Sequence, residues 1–201
     1  MAGSDTSSAL LSAARIRLLS DGFSGLSTRR VAAEAGVPLS QVHYHFGSKD
    51  GLVLALLRAE DDRRLARQTE MYGADVPLWR RYEQACDFLE DDLSSGYVRL
   101  VQELAAAGWS NPEVAKAAGE LIKGWLELLT TVANEAADRF GGLGPFTAEE
   151  IATLIGAAFG GAESLLLLGM EGPEVPIRAA LRRVGEVIRH FEERPGREET
   201  R

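Results

Sequence analysis

Apolar residues recur at three- and four-residue intervals through most of the chain, the period of a helix with one face turned inward, and no stretch makes a convincing strand. Leu10, Ala14 and Leu18, flanked by Leu11 and Ile16, predict a first helix over about residues 6–21, stopped by Gly22, with residues 1–4 disordered before it. Phe23 and Leu26 follow as the expected plugs of a small core. Two short helices come next. Ser27 or Thr28 is placed to cap the first by accepting from its free amides, Val31, Ala32 and Ala35 share one face, and Gly36 ends it. Pro38, tolerated only in a first turn, opens the second. It runs to about Phe46, with Val42 and Phe46 inward and Leu39, Ser40, Gln41, His43, Tyr44 and His45 over the remaining surface.

The same period carries on to the C-terminus. Ser48 can cap a helix over 49–68 with Leu52, Leu56 and Leu57 apolar, and a break follows at 71–76. Further helices are expected over 77–95 (Trp79, Tyr82, Cys86, Phe88, Leu89), 97–107 (Val98, Val101, Leu104, Ala105) and 112–140, the longest, whose apolar positions run from Val114 to Phe140. Thr147 with Glu150 three residues on makes a capping box for the next. Its body, 151–170, is apolar on all sides apart from Thr153, Glu163 and Ser164. A membrane span has such a composition, but Glu163 and four glycines interrupt this run and it stands alone, so a helix sandwiched between two others is expected. Gly156 and Gly160 would let another helix approach closely. A last helix carries Ile177, Leu181, Val184, Ile188 and Phe191, and residues 194–201 form a charged tail. The fold class is all-α with nine helices. The last two, about 147–170 and 177–192, carry more apolar surface than a monomer of this size needs, which predicts a homodimer built on a four-helix bundle.

Composition narrows the function. A chain of 201 residues with 45% hydrophobic residues has enough material for a real core. One cysteine, Cys86, excludes an internal disulfide and fits a reducing cytoplasm, and the start of the chain lacks a basic region followed by an apolar run. The net charge of −8 argues against a nucleic-acid binder when taken alone, but residues 1–50 carry +1 and the remainder −9, so an acidic body accompanies a slightly basic head. Catalysis is not expected: no histidine lies between His45 and His190, and nothing near Cys86 in sequence would activate it. His43 and His45 do not make a metal site, since two residues along a helix they point about 200° apart and no cysteine or carboxylate completes a set.

Residues 27–52 have the arrangement of a helix-turn-helix, whose second helix enters the major groove. The run Gly-Phe-x-x-Leu-Ser-Thr-Arg-Arg-Val-Ala-x-Glu-Ala-Gly-Val, then Val-His-Tyr-His-Phe-x-Ser-Lys-Asp-x-Leu, closely resembles the DNA-binding domain of tetracycline-repressor (TetR) family regulators over about residues 8–58. The resemblance implies a helix-turn-helix domain over 6–52, a connecting helix over 49–68, and a helical effector-binding and dimerisation domain over 53–193. It implies phosphate contacts for Thr28 and Lys49, a guanine-edge contact for Arg29, a groove-facing surface of Leu39, Ser40, Gln41 and Tyr44, and phosphate or sugar contacts for His43 and His45. Pro38 stands where many relatives have a capping Ser or Thr, and Leu39 has no donor, so base preference should lean on shape and apolar contact.

The implied function is a cytoplasmic transcriptional regulator, a ligand-released repressor that binds a palindromic operator in double-stranded DNA as a dimer, without cofactor, metal or membrane. Its effector would be a small apolar or amphipathic molecule, with Phe88, Trp109, Trp125, Phe159 and Glu163 as candidate ligand-binding residues, aromatic or rare polar groups on apolar helices. The alternative is an all-helical small-molecule-binding protein whose helix-turn-helix serves only packing.

Overall fold

The computed structural model describes residues 2–193, with side chains from Asp5; the expected charged tail at 194–201 lies outside the described residues. Those residues form nine helices and no strand: α1 (Ala2–Gly25), α2 (Thr28–Glu34), α3 (Leu39–Phe46), α4 (Lys49–Gly73), α5 (Leu78–Ser94), α6 (Tyr97–Gly108), α7 (Pro112–Phe140), α8 (Ala148–Leu167) and α9 (Ile177–Glu192). An isolated bridge between Gly172 and Val175 is the one extended pairing among them.

The chain divides into two compact units, and the division falls within α4 and α7. The first comprises the chain through Leu65 together with Ser94–Ile122. Its core is made by Leu10, Ala14 and Leu18 of α1, Leu26, Val31 of α2, Val42 of α3, Leu52 and Leu56 of α4, and Leu100 and Leu104 of α6. Helix α6 groups with the N-terminal helices, because Leu100 and Leu104 complete the same apolar core.

The second unit comprises Ala66–Leu93 and the chain from Lys123 onward. Within it α8 packs on α9. Arg81, buried on α5, makes three hydrogen bonds: Nε donates to the Val76 carbonyl at 3.0 Å, and a terminal nitrogen donates to the Tyr72 carbonyl at 2.7 Å and the Glu135 carboxylate at 2.8 Å. Glu192, at the end of α9, accepts from the Leu78 and Trp79 amides at 3.0 and 3.3 Å, so a remote carboxylate caps the first turn of α5.

Several local expectations change. Helix α1 starts at Ala2, so residues 2–4 are helical where disorder was expected, and Gly22 breaks it with φ 70° and ψ 173°. Ser27 stands at the N-cap of α2 in extended geometry but its side chain makes no capping bond. Helix α4 continues five residues past Gln68, because Met71 and Tyr72 are buried and hold its last turn. The capping box at Thr147 forms as expected: its hydroxyl accepts from the Glu150 amide at 3.2 Å, and the Glu150 carboxylate accepts from the Thr147 amide at 2.8 Å.

Helix α8 is not sandwiched. Ala148, Ala152, Gly156, Phe159 and Ala162 are buried along one face, while Leu154, Ala157, Ala158 and Gly161 are exposed on the other. It remains long and apolar enough to cross a membrane by composition alone. Close approach holds at Gly156, where an added Cβ would sit 2.7 Å from a Leu126 methyl, but not at Gly160, where nothing lies within 4 Å.

Candidate nucleic-acid interface and ligand cavity

The turn between α2 and α3 fixes how α3 is presented. Gly36 has φ 66°, a left-handed conformation that a Cβ disfavours. The Val37 amide donates back to the Ala32 carbonyl at 3.0 Å and the Gly36 amide to Ala33 at 3.2 Å, the paired bonds that close a helix by the Schellman arrangement. Pro38 is the N-cap of α3, in extended geometry.

Helix α3 is held by Val42, which has no exposed surface, with Leu39 and Phe46 half-buried against the same core. The face opposite Val42 is open. Ser40, His43 and Tyr44 are exposed, Tyr44 to 80%, while Gln41 and His45 are half-exposed. The Tyr44 and His45 rings meet edge-on at 5.0 Å. His43 Nδ1–H donates to the Gly47 carbonyl at 3.1 Å, which leaves Nε2 pointing away as the free ring nitrogen. No acidic residue lies in the first turn of α3.

The neighbouring cations divide into free and engaged. Arg29 is exposed and forms no ion pair among the described residues, while Arg30 pairs with Asp21 at 3.3 Å. A hydrogen bond from Ser20, then the Arg30 guanidinium, hold the Asp21 carboxyl below the usual range. Thr28 is half-exposed in the first turn of α2. Lys49, expected as a phosphate anchor, donates from Nζ to the Phe23 carbonyl at 2.8 Å and sits 4.6 Å from the centre of that ring. Two of its three N–H groups remain for another acceptor.

Phe23 was expected only as a core plug, yet it is bridged at both backbone groups. Its amide donates to the Glu103 carboxylate at 2.9 Å while its carbonyl receives Lys49. Glu103 lies 80 residues away, and no local pattern announces such a contact.

The second unit contains a cavity of about 220 Å³. Tyr72 of α4, Leu78 and Tyr82 of α5, Ala133 of α7, Ile155 of α8 and Ile188 of α9 are among its walls, and no charged residue is. None of Phe88, Trp109, Trp125, Phe159 and Glu163 lines it. Trp109 is 90% exposed after α6, and Phe88 lies beneath the Arg67 guanidinium at 4.1 Å. Phe159 is buried behind the wall, edge-on to Tyr82 at 5.9 Å, and Trp125 is edge-on to Phe159 at 6.3 Å. Glu163 is buried on α8. Sequence periodicity marked Tyr82 as apolar surface without distinguishing a cavity wall from a core residue. Burial pushes the Tyr82 phenol above its usual range and the Cys86 thiol up to about 11.

Residues 10–56 match the family described as bacterial regulatory proteins, tetR family. The HTH-type transcriptional regulator UidR of Escherichia coli (strain K12) is 28% identical over 110 residues, a match that covers 55% of either chain and so spans about half the length of that relative. Among solved structures, E. coli NemR in its reduced form superposes with a TM-score of 0.75 at 17% identity, covering 91% of this chain and 96% of that one. A TetR-family transcriptional regulator from Agrobacterium tumefaciens gives 0.75 at 20%, covering 92% and 98%. FadR from Bacillus subtilis, in complex with stearoyl-CoA, gives 0.73 at 16%, covering 90% and 96%. These likenesses extend the shared all-helical fold beyond the matched head. With the turn, the buried Val42 and the open face of α3 in place, residues 10–56 are similar to the N-terminal domain of the tetR family, and the rest of the chain shares its likeness to these structures in fold alone.

Proposed function

We propose that the protein is a DNA-binding transcriptional regulator, a cytoplasmic repressor that grips a near-palindromic operator as a homodimer and is released by a small ligand in its second unit. The observation that carries the reading is the disposition of α3: Val42 fixes it from inside, and Ser40, His43 and Tyr44 are left outward with Arg29 unpaired nearby. A helix anchored along one apolar face and open across from it suits insertion in a major groove. Thr28, Lys49, His43 and His45 would hold phosphate or sugar, while Arg29, Gln41, Tyr44 and the half-buried Leu39 would meet base edges. Helix α4 carries Lys49 in its first turn and Tyr72, a cavity wall, in its last, so a ligand that moved its end would act along one continuous helix.

The test is a mobility-shift titration on DNA flanking the protein's own gene, at 50 and 200 mM salt. Binding should weaken by orders of magnitude over that interval if several phosphates are contacted. Arg29→Ala and Tyr44→Ala, both at exposed positions, should fold normally and lose roughly 5- to 150-fold in affinity, the size of one base contact. Salt-insensitive binding, or variants that bind like the parent, would favour an all-helical ligand-binding protein with a structural helix-turn-helix.

A further inference from the structure

The cavity's chemistry restricts what enters it. Its walls are leucine, isoleucine, valine, alanine and phenylalanine, with Tyr72 and Tyr82 as the two residues that carry a side-chain hydroxyl. No carboxylate, guanidinium, ammonium or imidazole is among them to meet a charged group. An ion placed there would give up its hydration without a counter-charge in return. Volume sets a scale too: an apolar cavity of about 150 Å³ is known to hold benzene, so 220 Å³ accommodates a slightly larger molecule.

Tyr82 adds a polar requirement. The residue is 6% exposed, its ring is fixed edge-on against Phe159, and its hydroxyl is buried with no hydrogen-bond partner. Buried polar groups in folded proteins are nearly always paired, so an orphan hydroxyl on a wall residue, sealed from water as the wall stands, can turn to a ligand atom that enters beside it. Burial keeps the phenol protonated, and it is therefore available as a neutral donor.

We propose that this cavity binds one uncharged, largely hydrocarbon molecule of one- or two-ring aromatic size, carrying a single hydrogen-bonding oxygen that pairs with the Tyr82 hydroxyl. Only the consequence of binding, release from DNA, rests on the function proposed above. The binding itself stands on the cavity.

The experiment uses the full chain without DNA and three probes of one shape: naphthalene, 1-naphthol and 1-naphthoate, followed by calorimetry and thermal melting. Naphthalene and 1-naphthol should bind and raise the melting temperature, 1-naphthol about 3- to 10-fold more tightly, the worth of one hydrogen bond. The anion 1-naphthoate should bind at least tenfold more weakly than naphthalene. Tyr82→Phe keeps the ring and removes an unpaired hydroxyl, so it should stay folded, still bind naphthalene and lose the preference for 1-naphthol. Ala133→Leu, which extends a side chain into the cavity, should abolish both; should it fail to fold, Ala136→Leu on another part of the wall serves in its place. Absence of binding by all three probes, 1-naphthoate binding as well as naphthalene, or a 1-naphthol preference that survives Tyr82→Phe would overturn the proposal. Failure here leaves DNA binding standing, and a failed mobility shift leaves the cavity result standing.

Discussion

Val42 is wholly enclosed, and Tyr44, two residues on, stands 80% exposed. That contrast follows from helical geometry, since positions two apart point about 200° from one another. It is why the outward set on α3 could be named from spacing alone. Lys49 and Phe23 could not: their contact joins the end of one helix to the start of another 26 residues on, and the Glu103 contact spans 80. Spacing rules describe one face of one element and carry nothing about such pairings. The cavity walls are illegible for a related reason, because they are mostly ordinary aliphatic positions that periodicity does not tell apart from core.

Cys86 gives a prediction at this scale. It is 4% exposed, and burial moves its thiol from about 9 to about 11. The folded state thus holds the neutral thiol where the unfolded chain would ionise it. This group's contribution to stability is complete below about pH 9 and is lost as pH rises toward 11. Alkylation by iodoacetamide at pH 8 should be slow in the folded protein and rapid after denaturation, as mass spectrometry would show. Rapid labelling of the native chain would contradict the burial.

Helix boundaries were readable where a local chemical signal marks them. Helix α7 occupies the expected 112–140 because Asn111 Oδ1 accepts from the Glu113 and Val114 amides at its start and Gly141 breaks it at the end. The α8 capping box was equally local. The end of α4 lies beyond the expected residue 68 because its last turn is retained by burial of Met71 and Tyr72, a tertiary effect that overrides weak local preference. The α3–α4 junction depends on a close backbone approach: a Cβ at Gly51 would lie 2.1 Å from the Phe46 carbonyl oxygen. Gly51→Ala must shift one helix against the other, and should destabilise by about 1–3 kcal/mol and weaken DNA binding more than its stability loss explains. Thermal melts beside mobility shifts separate the two effects. Glu192→Ala leaves the Leu78 and Trp79 amides of α5 without their cap and should cost about 0.5–2 kcal/mol. For a chain of this length that is a fall in melting temperature of roughly 1–8 °C.

At the scale of the whole molecule, the surplus apolar surface of the last two helices was legible in composition, but how each helix would divide it was not. Helix α9 was expected to show one stripe. In the fold Ile177, Leu181 and Gly185 are buried, whereas Val187 and Phe191 are exposed, so the helix carries two apolar faces and the chain covers one. Helix α8 does the same, with Leu154 53% exposed beside the small residues Ala157, Ala158 and Gly161. Isolated exposed apolar residues need no explanation, but paired faces on two packed helices are what a four-helix bundle between two copies would bury. The proposed dimer therefore makes a definite demand on these positions. Leu154→Glu with Val187→Glu places like charges on the face that a two-fold axis would bring together, while every buried residue stays as it is. Light scattering should show the parent as a dimer at micromolar concentration and the double variant as a monomer with unchanged helical content. Operator affinity should fall by more than tenfold, since one head alone contacts half the phosphates. A parent that is monomeric, or a variant that stays dimeric and binds DNA normally, would remove these helices from the assembly.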